Sequence, residues 1–553
     1  MTLERASMHG IPPLKASHSR WRKRGLALFA ASLFTLAGSS LPASAQGPTG
    51  QPLVEWEKYA DELGPSGPAT FERLQMAAKV ARAIERSSDQ SGLAMALAKK
   101  VTDAVAGSYP NLGNYPQLVR VHGHEEPAWL SDRGDATAQA VIALSALERW
   151  KPEASRREML TKLARGLAAL ARKDRLEYPF GAHVSWEDRE PMATLDDGTR
   201  VPSAYFRTDH AYAVEALAEA SEVLQDKELL LSAEREALGM STHLVIAGKP
   251  IASFSPEPEF STHPNNNISI VKGFLALYRT TKKELYADLA ALATVWVGGQ
   301  ASDINPEWKP LLAEIAATKA ERLLKTRATG EPVSFQIMEA EAGKVVNKAI
   351  ETLGFQTPTG NRASLAAMGR ENTFWMRFDV PTEDDYVFYV TYLQSDVGGG
   401  LVSVMMRIDG DKIFQVSLGD VDGRPIMRRK FVDGPRPLRA GPHSFGIRFS
   451  GLLMTKPALL DSVIVQPAVE RREFTLPNGD RAILLRNVTG DTARTDQAAF
   501  APWPAKEVLV LNGEGVPSKL GQSEDRRRRK QFITLPAYGV ALIVLGPEPK
   551  EAE

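Results

Sequence analysis

Residues 178–210, YPFGAHVSWEDREPMATLDDGTRVPSAYFRTDH, separate two segments of helical periodicity. The link is far longer than an ordinary helix–helix connection. It holds His183, Trp186, Glu187, Asp188, Asp196, Asp197, Tyr205, Asp209 and His210. Long loops carried by rigid helices are where binding and chemistry concentrate.

On both sides of this link, apolar residues recur at three- and four-residue spacing, as in TFERLQMAAKVARAIER (70–86). The pattern predicts further helices over 92–106, 134–150, 154–173, 206–224, 227–245, 265–281, 283–300 and 306–327, about nine in all. Trp150-Lys151-Pro152-Glu153, Leu224-Gln225-Asp226 and Arg279-Thr280-Thr281-Lys282 are short joins that make antiparallel helix hairpins. The stretches 107–133, 174–205 and 246–264 are long. In a run of up–down hairpins the tight turns share one pole and the long links share the other. His122, His124, His183, His210 and His263 should therefore gather at one end, with Trp129 and Trp186.

GDATAQAVIALSALERW (134–150), FRTDHAYAVEALAEASEVL (206–224) and NNNISIVKGFLALYRTT (265–281) open the hairpins. The array resembles the (α/α) toroids of the six-hairpin glycosidase-like class, which implies a glycan-cleaving domain over 53–328.

Hydrolysis of a glycosidic bond needs two carboxyl groups across the scissile bond, one protonated and one ionised. Asp135 and Asp209 start helices that open hairpins, and Glu187 and Asp188 flank Trp186, so these four are the candidate catalytic carboxylates. Asp at a helix start also caps free N–H groups, and that plainer role competes. Trp186, Trp129, His183, Tyr205, His210 and His263 are candidate substrate contacts. A lyase instead needs a base and a group that neutralises a uronate. His263 before Asn265-Asn266-Asn267, and Tyr205, Arg207 and His210, suit that alternative. HGHEE (122–126) offers two histidines and two carboxylates without the HExxH spacing of a zinc protease. Gly-rich phosphate loops, GxSxG elbows and dinucleotide fingerprints are missing, which argues against nucleotide chemistry.

The pattern changes near Thr329-Gly330-Glu331-Pro332. Short alternating runs follow, split by Gly-, Pro- and Asp-rich turns, and predict a β-sandwich. Glu339-Ala340-Glu341-Ala342, FWMRFDVPTEDDYVFYVTY (374–392), GPHSFGIRFSG (441–451) and LLDSVIVQP (459–467) occur in that order. The set resembles the family 6 and family 35 carbohydrate-binding modules and covers 335–468. The resemblance implies a jelly-roll sandwich with a structural Ca2+ held by Glu339, Glu341 and Asp461, with no cofactor for catalysis. The ligand Asn expected before the last strand is missing from GLLMTKPALLD, and Trp375 reads as core. Residues 470–548 predict a small β-domain, with a hairpin turn at Asn478-Gly479 and a basic run, EDRRRRK (524–530). Its last strand resembles the capping β-domain of many glycoside hydrolases.

Residues 1–45 read as a signal peptide. Arg20, Arg22, Lys23 and Arg24 precede a short apolar run, and Ala43-Ser44-Ala45 is a small-residue cleavage pattern. The chain of 553 residues has 67 basic and 67 acidic side chains, which favours neither nucleic acid nor a membrane surface. It has no cysteine, so disulfides and thiolate sites are excluded. The expectation is an exported, periplasmic or extracellular, multidomain α-then-β protein without stable membrane insertion after signal removal. It acts on a polysaccharide or oligosaccharide, as a glycoside hydrolase, with a lyase or a non-catalytic glycan binder as alternatives.

Overall fold

The computed structural model describes residues 52–87, 91–109, 118–121, 124–127, 134–169, 192–194, 200–202, 208–246, 264–295, 305–333, 336–339, 344–346, 352–356, 362–365, 373–394, 403–417, 426–450, 459–500, 504–525 and 530–547. The helices are α1 (Glu57–Leu63), α2 (Phe71–Ser87), α3 (Gly92–Ser108), α4 (Gly134–Trp150) and α5 (Ala154–Ala169). They continue with α6 (Thr208–Leu224), α7 (Lys227–Ile246), α8 (Pro264–Thr281), α9 (Glu284–Ala293) and α10 (Trp308–Ala316).

Local chemistry sets the tight turns. Gln225 and Lys282 take positive φ, 56° and 57°, where α6 and α8 end. That conformation returns the chain and lets the next amides satisfy helix-end carbonyls: the Asp226 N–H reaches Ser221 O at 3.1 Å and the Lys282 N–H reaches Tyr278 O at 2.8 Å. Asp226 then caps α7, its Oδ1 accepting from the N–H groups of Glu228 and Leu229.

α2, α4, α6 and α8 pack side by side in chain order, and α3, α5, α7 and α9 pair with them from behind. α4 is enclosed on every side from Asp135 to Glu148, which its alanine-rich sequence allows. At Gly273 of α8 an added Cβ would lie 3.1 Å from Ala211 O of α6, so the absent side chain lets these helices approach closely.

The C-terminal ends of the four inner helices meet in a charge network. Arg82 of α2 donates to Glu215 at 2.6 Å and Glu219 at 2.9 Å, both on α6. Arg149 of α4 donates to Glu85 of α2 at 2.5 Å and to Glu219 at 3.0 Å. Arg279 of α8 lies 3.8 Å from Glu219 and 3.1 Å from Glu314 of α10. The inner helices are therefore parallel, and their N-termini share the opposite pole, where the long links enter. The described residues hold four such hairpins. α9 is shorter than the predicted 283–300 helix, and the predicted 306–327 helix breaks into α10 and a 3-10 turn, Lys319–Leu323, whose start Thr318 caps.

Antiparallel sheets follow. One has five strands in the order Asp411–Ser417, Ser403–Ile408, Gly441–Ser450, Thr373–Val380, Lys344–Val346. The second centres on Ile426–Leu438, Asp384–Gln394 and Leu459–Pro467, with Gln336–Glu339 also paired to the last of these. Phe388 of the second sheet stacks on Phe445 of the first at 5.6 Å and meets Phe378 edge-on at 6.0 Å, so the two sheets face each other across a shared core.

The second sheet has an unexpected edge. Residues of the long link form a hairpin, Met192–Thr194 with Arg200–Pro202, and Arg200 pairs in parallel with Ile426 of the sandwich.

The terminal unit joins everything. Its five-stranded sheet runs Glu507–Leu511, Val540–Leu545, Arg481–Asn487, Val469–Thr475, Arg327–Val333. Its last strand precedes the sandwich in sequence. The sandwich is therefore inserted within this sheet, leaving it after Val333 and returning at Val469. One face of the sheet packs on α7, where Phe474, Leu484 and Leu542 enter the helical core. The other face shares a core with sandwich residues Val387, Tyr389 and Ile464. No helix among the described residues is long and apolar enough to cross a membrane.

Candidate functional site

The N-terminal pole of the inner helices collects the first turns of α2, α4, α6 and α8. Asp135 is the second residue of α4 and is buried, with 6% of its surface exposed. Its Oδ1 accepts from the Ala136 N–H at 2.8 Å, and it makes further interactions. That bond runs to the adjacent amide, not to the second or third amide of the turn that a capping side chain takes. One residue further on, Thr137 is fully buried and its Oγ1 lies 3.2 Å from the Tyr109 hydroxyl, which ties the end of α3 to this turn.

Asp209 and His210 are the second and third residues of α6, the helix next to α4. Their backbone is helical; their side chains lie outside the described residues. Tyr212 follows and is half-buried. Its ring sits 5.1 Å from that of Phe71, the first residue of α2, so α2 and α6 meet at this pole. Asn267, in the first turn of α8, is fully buried and engaged in interactions. Tyr212 was not singled out in the sequence. Its position three residues after Asp209 was the available signal, because side chains three apart on a helix are neighbours.

Glu187, Asp188, Trp186, His183, Tyr205, His263 and Trp129 lie outside the described residues. Leu118–Val121 and His124–Pro127 pair antiparallel with Val121 opposite His124, and His122 lies outside the described residues.

In the sandwich, Glu339 is paired with Ser462, immediately after Asp461. The pairing of Asp384–Gln394 with this strand shifts register between Ser462 and Leu460, so Asp461 is the bulged residue. Two of the three carboxylates attributed to calcium thus occupy adjacent backbone positions on neighbouring strands. Their side chains, and Glu341 as a whole, lie outside the described residues. Among the described residues no group of three or more His, Cys, Asp or Glu is arranged to hold a metal.

Trp375 corrects the sequence reading. Met376, Phe378 and Val380 are buried, so the alternation puts Trp375 on the opposite, outward face of its strand, and it is only half-buried. The charged Arg377 and Asp379 at the same two-residue period were the signal for that face.

No protein-family model matches the sequence. No curated protein matches it. Among solved structures, a family 35 carbohydrate binding module from Clostridium thermocellum matches at 15% identity and a TM-score of 0.20. The match covers 25% of this chain and 98% of that one. A cycloisomaltooligosaccharide glucanotransferase from Paenibacillus sp. matches at 8% identity and a TM-score of 0.18, over 64% of this chain and 77% of that one. A family GH115 4-O-methyl-alpha-glucuronidase matches at 14% identity and a TM-score of 0.19, over 59% of this chain and 41% of that one. These neighbours are a carbohydrate-binding module and carbohydrate-active enzymes, at low similarity.

Proposed function

We propose that this chain is an exported carbohydrate-active enzyme, a glycoside hydrolase that cleaves a polysaccharide or oligosaccharide. The observation that carries the reading is the parallel array of α2, α4, α6 and α8. Asp135 and Asp209 head two neighbouring helices of that array, at the pole where the long acidic and aromatic links enter. Cleavage of a glycosidic bond requires one protonated and one ionised carboxyl group; a helix N-terminus favours the ionised form, which suits the base or nucleophile of the pair. Glu187 and Asp188 on the 174–205 link are the remaining candidates for the second carboxylate, with Trp186 as the sugar platform. The helical part is read as an (α/α) toroid and the sandwich as a jelly roll.

The residues Glu339, Glu341 and Asp461 suit a structural Ca2+: hard oxygen donors from the first strand and a bulged position of the last, joined by register. Such an ion would fasten the two strands and take no part in cleavage. Chelation should then lower the melting temperature of the wild type and leave an Asp461→Asn variant unmoved.

The test of the activity is a polysaccharide panel read for both new reducing ends and ultraviolet-absorbing unsaturated ends. Reducing ends alone, lost in Asp135→Asn and Asp209→Asn, support hydrolysis. Unsaturated ends would replace it with β-elimination. A panel without turnover, but with retained binding, would leave a non-catalytic glycan binder.

A further inference from the structure

The outward face of the five-stranded sandwich sheet carries a feature that the helical pole does not use. Trp375 pairs with Gly446 of the neighbouring strand, and Gly446 pairs on its other side with Arg407. A Cβ built on Gly446 would lie 2.8–2.9 Å from three carbons of the Trp375 ring. The indole therefore lies against the bare backbone of that strand, on the side toward Arg407. The residue is only half-buried, so part of the indole stays open to solvent.

Two cations flank it. Arg377 is two residues along the same strand, about 7 Å away and on the same face. Arg407 is two strands over, about 10 Å away. Both are exposed, and neither guanidinium has a hydrogen bond or ion pair among the described residues. Asp379, the acid on the outward side of this strand, is already engaged. The register sets Lys344 opposite Trp375 and Lys412 opposite Arg407, so lysines end the row at both sides.

A bare indole suits the apolar face of a sugar ring. Guanidinium groups without partners suit carboxylates, which they hold in planar, two-pronged pairs. A neutral glycan would leave both arginines unmatched. We propose that this sheet face binds an acidic, uronate-containing polysaccharide, with Trp375 stacking a sugar ring and Arg377 and Arg407 pairing with carboxylates on either side. The site is separate from the helical pole, and its test reads binding and not turnover.

The full-length protein is run in affinity gels, and titrated calorimetrically, with polygalacturonate, dextran sulfate and neutral dextran. Polygalacturonate should retard the wild type, dextran should not, and added salt should weaken the binding. Arg377→Ala and Arg407→Ala should each weaken binding about tenfold, with unchanged melting temperatures. Trp375→Ala should abolish retardation. Should that variant fold poorly, the two exposed arginines carry the test alone. Equal binding of dextran, binding of dextran sulfate only, or unchanged affinity in the double arginine variant would each overturn the proposal. Turnover without such binding would leave the enzyme reading standing and remove this one.

Discussion

Arg322 meets Asp288 of α9 with both terminal nitrogens, each at 3.0 Å, and the same guanidinium reaches Glu507 of the terminal sheet at 2.9 Å. This is a joint between the helical body and the terminal sheet. Burial pushes the Asp288 carboxyl up to about 6, although Arg322 pulls it down. Burial also opposes the Arg322 charge, but Asp288 and Glu507 outweigh it and hold Arg322 above its ordinary value. The two partners differ because Asp288 is 1% exposed and the guanidinium side chain 29%.

A pH dependence follows. An acid whose folded pKa lies above its unfolded one adds stability that is fully present below about pH 4 and lost as pH rises through about 6. The stability of the wild type relative to Asp288→Asn should therefore fall by roughly 2–3 kcal/mol between about pH 4 and about pH 7. Denaturant midpoints of the two proteins across that range measure it. A difference that stays constant with pH would show that Asp288 is ionised throughout.

The network closing the other end of the inner helices makes a second case. Arg82 sits between Glu215 and Glu219, whose side chains are 3% and 8% exposed. Burial opposes charge on Glu219, yet Arg82, Arg149 and Arg279 hold its carboxyl below the usual range. Arg82→Met removes the shared cation and strands the enclosed Glu215, while Glu219 keeps Arg149 and Arg279, and should cost about 3–5 kcal/mol. Adding Glu215→Gln should return part of that loss. Thermal and urea unfolding of the single and double variants decide it; additive losses would mean that the residues do not interact.

The hairpins were legible because apolar spacing and turn residues are local: TFERLQMAAKVARAIER and the joins at 150–153 and 224–226 each announce themselves within a few residues. The seam between the units was not. Strand Arg327–Val333 pairs with Val469–Thr475 across the whole sandwich, and no neighbouring residue marks a partner that distant. The parity of Trp375 was present in the sequence, in Arg377 and Asp379, but the run Phe374-Trp375-Met376 concealed it by being apolar on both faces. The pole was legible as a direction, because topology alone sends the long links there. The contact of Tyr212 with Phe71 depends on how α2 and α6 approach, which periodicity does not specify.

The turn Asn512–Val516 of the terminal unit lies on α7. Gly515 has φ +71°, and a Cβ there would stand 2.6 Å from both carboxylate oxygens of Glu234. Glu234 in turn pairs with Lys283 and accepts from the Tyr286 hydroxyl at 3.1 Å, and Arg235 meets Glu514 at 3.1 Å. Gly515→Ala suffers twice, from the backbone conformation and from the carboxylate, and should lose about 1–3 kcal/mol. Glu234→Ala in the same chain removes the clash but not the backbone strain. Melting temperatures of both should separate the two causes. An unchanged Gly515→Ala would mean that the turn stands off α7.

The pairing of Arg200 with Ile426 is the one backbone link found between the long helical link and the sandwich among the described residues. Eight Cα steps lead from Arg200 to Thr208, the start of α6, a reach of at most about 29 Å. The sandwich edge is thus tethered within that reach of the start of α6, in addition to its two crossings into the terminal sheet. The chain lacks cysteine, so Arg200→Cys with Ile426→Cys introduces the only thiols. Paired strand positions fall within the Cα separation that a disulfide spans. Mild oxidation should form an intramolecular bond, visible as a faster band on a non-reducing gel and as a loss of about two mass units. Bonding that forms only at raised temperature, or only between chains, would mean that the hairpin is not held against the sandwich. A control pair, Arg200→Cys with Ser450→Cys on the other sheet, should remain reduced.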